Sequence, residues 1–159
     1  MVKVQGRHGS RWVALQGLYA WQISKRPLAE IEEDLLAGNL HEAPVAYNKV
    51  FLHELFQAIH EQSDVLDSLI IPHLDRPLNE VHPVEHAILW MAIYELKDRA
   101  ETPYKVIINE AILLAKQFGA QDSHKFINGV LDKAAKVLRK SVGAHPVSEG
   151  SPQISVNIS

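Results

Sequence analysis

Residues 82–135 read HPVEHAILWMAIYELKDRAETPYKVIINEAILLAKQFGAQDSHKFINGVLDKAA. Three helix-start signals punctuate this stretch, and each is followed by apolar residues at helical rather than strand spacing. Pro83 suits a first-turn position, where a missing N–H costs nothing. Thr102 and Pro103 repeat the device for the next segment, which Gly119 stops. Asp122 or Ser123 then caps a last helix that buries Ile127, Val130, Leu131, Ala134 and Leu138. Gly129 inside that helix costs about 1 kcal/mol relative to alanine, so it is expected to let another helix approach closely.

Working outward, the same period continues upstream and predicts an all-α protein. Ser10 caps a first helix with Trp12, Leu15, Leu18 and Tyr19 on one stripe, running to about Ile23. A short acidic helix occupies 27–38, and Gly38 suits a left-handed C-terminal cap. Pro44 opens a longer segment with Val45, Leu52, Leu55, Phe56 and Ile59 on one face; Ser63 restarts a helix through Leu66, Leu69 and Ile70. Three prolines between 72 and 83 mark a connection, dividing the chain into bundles at about 7–75 and 82–140. Residues 141–159 mix Ser, Pro, Gly and Asn without a helical period and read as a disordered tail.

A chain of 159 residues without cysteine folds as about one domain and uses no disulfide or thiolate chemistry. The N-terminus lacks an apolar signal core, and no apolar run approaches the roughly 18 to 20 residues that span a bilayer. A cytoplasmic protein is the expectation. The net charge of −3 hides a pattern: residues 1–29 carry +5, residues 30–102 carry −11 and residues 103–140 carry +4. Basic ends around an acidic middle suggest two different partners.

Catalytic signals are thin. His82-x-x-Glu85-His86 has the spacing of inverted zinc proteases, yet Pro83 leaves His82 outside regular helix geometry and no third ligand is identifiable. His82 as a cap, with Glu85 in the favourable first turn, is the better reading. His53 and His60 read as partly exposed helix residues. Glu95 and Glu110 lack a partner of opposing catalytic role and read as surface or helix-pairing carboxylates. Phosphate loops, dinucleotide fingerprints and nucleophile elbows are missing from the sequence, which names no catalytic residue, metal ligand or cofactor.

The turn FGAQDSHKFING, residues 118–129, is more informative. Phe118 and Phe126 flank it, Lys116 and Lys125 stand beside the rings, and Asp122 either caps the helix or accepts from a base edge. Single-stranded RNA is held by such combinations of stacking and polar contacts. The same residues also fit core rings with solvated lysines.

Residues 83–135 closely resemble the C-terminal half of the NusB family of bacterial transcription antitermination factors. LQGLYAWQIS, residues 15–24, matches the family's first-helix motif, and the similarity extends over 7–140, weakening between about 38 and 80. The resemblance implies two small helical bundles without catalytic activity. It also implies binding of boxA in ribosomal RNA leader transcripts together with NusE, a small-subunit ribosomal protein, within an RNA polymerase antitermination complex. The RNA contacts it implies are Arg7, His8, Arg11, Tyr19, Lys116, Phe118, Asp122, Lys125 and Phe126, and the NusE surface lies around Glu85. Two positions depart from the family pattern: the N-terminal motif is poorer in arginine, and Trp90 replaces a basic residue of many relatives. A monomer or weak homodimer is expected, and the rival readings are a helical protein-interaction module or homodimer without specific RNA binding, and an RNA-modifying enzyme.

Overall fold

A computed structural model describes residues 6–39 and 46–140, all of whose regular structure is helical. The expected starts at Pro44 and Val45 and the 141–159 tail lie outside the described residues. The helices are α1 (Arg7–Ser24), α2 (Leu28–Leu36), α3 (Lys49–Ile70), α4 (Pro83–Asp98), α5 (Tyr104–Phe118) and α6 (Ser123–Leu138). Two short 3₁₀ turns, Ile71–His73 and Leu78–Glu80, cross the proline-rich connection.

Helices α1, α2 and α3 pack on one another, as do α4, α5 and α6, while α4 also packs against α1 and α3. That central placement explains its composition. From Ala87 to Leu96 every side chain of α4 is buried, without the polar face that the other helices keep. The buried apolar residues accordingly form one continuous cluster running through both halves.

Pro83 opens α4 at its first position, and His82 accepts from the Val84 N–H while Glu85 accepts from the His82 N–H, a complete capping box. At its other end Arg139 closes the helix. Three nitrogens of its guanidinium donate to the carbonyls of Glu95, Leu96, Arg99 and Thr102 at 2.9–3.1 Å. Glu95 and Leu96 are last-turn carbonyls, and that of Glu95 accepts from the Arg99 N–H as well.

Several local expectations give way to tertiary contacts. Ser10 lies inside α1, which begins three residues earlier; its Oγ donates to the Asn48 carbonyl (2.6 Å) and accepts from the Asn48 N–H (2.8 Å), pinning α1 to the start of α3. Ser63 restarts nothing: α3 is continuous, because Leu52, Ile59 and Leu66 keep one buried stripe seven residues apart. Pro103 precedes α5 rather than occupying its first turn. Leu138 is only partly buried. Gly38 does take the left-handed conformation, with φ of 81°.

Gly129 is the clearest reversal, since a Cβ built there meets no atom within 4 Å. The close approach happens at Gly17 instead, where a Cβ would stand 2.6 Å from both Leu35 and Phe56. A Gly17→Ala variant should lose about 1–2 kcal/mol, the clash outweighing the better helix propensity of alanine. Urea denaturation at fixed temperature checks this; equal or raised stability would show that α2 and α3 yield freely.

Candidate nucleic-acid interface

The N-terminal turn of α1 divides its cations between surface and interior. His8 is exposed, with Nδ1 2.7 Å from Glu110 Oε1. Arg7 is half-buried, its guanidinium 4.7 Å from the centroid of the Phe51 ring. Arg11, four residues on, is only 5% exposed. Its Nε and Nη2 donate to the two oxygens of Glu95 at 2.8 and 2.7 Å, and Glu95 is itself 1% exposed. Burial works against the Arg11 charge, but the hydrogen bonds and field of Glu95, with Glu110 behind, more than offset it, so the guanidinium titrates above its ordinary value. Arg11 is therefore an internal brace between α1 and α4, with two of its three side-chain nitrogens hydrogen-bonded to Glu95. Glu95 and Glu110, open as bases or pairing residues in the sequence, are pairing residues.

Below that turn lies an open groove of about 430 Å³ lined by Leu15, Gln16, Tyr19, Ala20, Val84 and Phe118. Tyr19 is 39% exposed at its rim. Phe118 is held edge-on against Trp12, with ring centroids 5.2 Å apart and planes at 62°. Lys116 is exposed on the last turn of α5. The amphipathic stripe of α1 marks Trp12 and Tyr19, but Gln16 and Val84 carry no sequence signal for this groove.

The turn after Phe118 is built by an unusual start to α6. Asp122 takes the left-handed conformation, φ 66°, and its side chain makes no capping hydrogen bond; its carboxylate stands 3.4 Å from Lys125 Nζ. What anchors the turn is Ser123, whose Oγ donates to Glu85 Oε2 at 2.5 Å. Glu85 is 8% exposed and has both oxygens committed, one to Ser123 and one to the His82 N–H. Glu85, around which the resemblance implies a NusE surface, thus joins the start of α4 to the start of α6.

Phe126 lies apart from Phe118 and lines a different cavity. The guanidinium of Arg76, from the proline-rich connection, covers it at 4.1 Å from the ring centroid. No sequence period points to Arg76. The nine expected RNA contacts thus do not form one cluster: Tyr19 and Phe118 share a groove, Lys125 and Phe126 share another, and Arg11 is internal.

The remaining candidates are structural. His86 sits 2.6 Å from Asp67 Oδ1, which also accepts from Trp90 Nε1 at 2.9 Å, so Trp90 is a buried donor to α3. His53 pairs with Glu32, and the His60 ring lies against Trp21. Among the described residues no three His, Asp or Glu side chains gather as a metal site, and no helix is long and apolar enough to cross a membrane.

Six helices presenting an aromatic groove and basic turns at their surface define a helical binding protein. The NusB family model matches residues 8–136, and the chain belongs to the NusB family. It is 49% identical over 140 residues to the transcription antitermination protein NusB of Pseudoalteromonas atlantica, covering 87% of this chain and 97% of that one. The fold is similar to T. maritima NusB, with TM-score 0.72, 30% identity and coverage of 84% and 93%. A structure of antitermination factors NusB and NusE in complex with double-stranded RNA shares the fold at TM-score 0.69 and 22% identity, covering 82% of this chain and 96% of that one.

Proposed function

We propose that this protein is a transcription antitermination factor that binds boxA RNA together with NusE and acts by assembly on the elongating polymerase, in the cytoplasm and without catalysing a reaction. The observation that carries the RNA part is the groove at Tyr19 and Phe118. An exposed phenol stands at the rim of an apolar trough whose inner ring is fixed by Trp12. Stacking platforms need a ring that is both reachable and immobile. His8 and Lys116 supply polar and cationic contacts from α1 and α5, while the acidic segment 30–102 suits a basic ribosomal protein.

The test is a fluorescence-anisotropy titration of boxA RNA and a scrambled control, with and without NusE, at two salt concentrations. Tighter boxA binding with NusE is expected, with a log–log salt slope near −2 for about three phosphate contacts. Tyr19→Ala should weaken boxA binding by about 1–3 kcal/mol with little change in stability, because the ring is exposed. Equal, weak binding to both RNAs, with no effect of NusE, would leave the homodimeric or protein-interaction module, and light scattering would then separate those two.

A further inference from the structure

We propose a second RNA subsite on α6, resting on the RNA-binding reading: a notch over Gly129 that takes a backbone phosphate, beside the Arg76 guanidinium as stacking plane for the adjoining base. The starting point is Gly129 itself. A glycine within a helix costs about 1 kcal/mol relative to alanine, and here no neighbouring helix approaches in return. What the missing side chain leaves is room. A cavity of about 110 Å³ opens there, between α6 and the connection at 73–76.

The walls of this notch suit an anion. Lys125 and Lys133 lie four residues either side of Gly129, on one helix face, and both line the cavity. Lys133 has no carboxylate within ion-pair distance among the described residues, and Lys125 has only the exposed Asp122. Asp75 is the lining carboxylate, and Arg76 Nε already occupies it at 2.7 Å. The Arg76 hydrogen bond holds the Asp75 carboxyl below its ordinary range, so the pair stays ionised. His73 completes the wall; burial, then the Lys133 charge, push its pKa down, so the ring contributes a neutral N–H donor.

Arg76 decides which polymer fits. Its guanidinium lies over Phe126 at 4.1 Å, with the ring behind it and Asp75 fixing its edge. A delocalised plane backed by an aromatic ring is a surface on which a nucleobase stacks. An acidic peptide would use the cations but has no planar group for that surface. Phe126 therefore acts as the backing of the stack, while Arg76 meets the base.

The experiment titrates the full-length protein against labelled single-stranded boxA RNA at several salt concentrations. Lys133→Ala should weaken binding by about 3- to 10-fold and flatten the log–log salt slope by about 0.7, one phosphate contact. Gly129→Leu should give a similar loss without any loss of thermal stability, since leucine fills open space and is the better helix former. Arg76→Lys, which keeps the charge and loses the plane, should bind nearly as poorly as Arg76→Ala. Wild-type protein that fails to bind RNA would overturn the RNA reading and this subsite with it. Wild-type binding with all four variants unaffected would overturn the subsite alone. Variants that bind RNA normally but lose a protein partner would assign the face to an acidic protein segment and equally overturn it.

Discussion

Arg11→Ala should lose about 3–5 kcal/mol of folding stability, the usual cost of leaving a buried charge without its partner. The carboxylate left behind is Glu95, 1% exposed and deprived of two hydrogen bonds at 2.7 and 2.8 Å. Glu110 stands 3.7 Å from Arg11 Nη1, so a second carboxylate loses its counter-charge as well. For a chain of this size the melting temperature should drop by roughly 10 °C. The double variant Arg11→Met with Glu95→Leu should recover most of the loss, because apolar replacement of a whole buried pair is often neutral or better. Calorimetry on the three proteins decides. An Arg11→Ala protein with wild-type melting and defective RNA binding would return Arg11 to the surface role that its place in the basic N-terminus suggests.

Glu85→Ala is expected to lose about 2–3 kcal/mol, from one broken helix cap and one buried hydroxyl left without an acceptor. Its effect on binding should exceed that of a missing surface charge. Ser123 ties to α4 a turn whose preceding residue, Asp122, holds an unfavourable left-handed backbone. Loosening it lets Lys125 and Phe126 move together. Ser123→Ala breaks the same link from the other side, so the double-mutant cycle should show coupling of about 0.5–3 kcal/mol in stability. Additive losses would mean that the two side chains act independently. The cycle repeated with RNA binding as readout reports whether the start of α4 and the α6 turn respond as one unit.

The ends of the helices were legible wherever backbone chemistry sets them. Pro83, His82 with Glu85, Gly119 and Gly38 act through their own φ angles or through neighbours within four residues, and the structure places each as that chemistry requires. Ser10, Ser63 and Gly129 misled because the same residue types are also used by tertiary contacts or by open surface. The candidate interface shows the limit more sharply. Arg7 and Arg11 are equivalent by type and lie one turn apart, yet only Arg11 finds a carboxylate 84 positions away. Phe126 reads as a ring for stacking, while its cover, Arg76, comes from a segment with no period at all. Side-chain chemistry is local information. Whether that chemistry faces solvent depends on partners distant in the chain.

Arg139 bears on how the molecule is made. The carbonyls it serves at the end of α4 are synthesised some forty residues before it, and none of its four hydrogen bonds exists until it has left the ribosome. During that interval the Leu96 and Thr102 carbonyls lack the Arg139 donor, and α6 is not there to cover α4. The early helices can gather as they emerge, but the contacts of α6 with α4 and α5 wait for the end of the chain to be made. A nascent chain arrested short of residue 139 should therefore remain open to proteases around Leu96–Thr102.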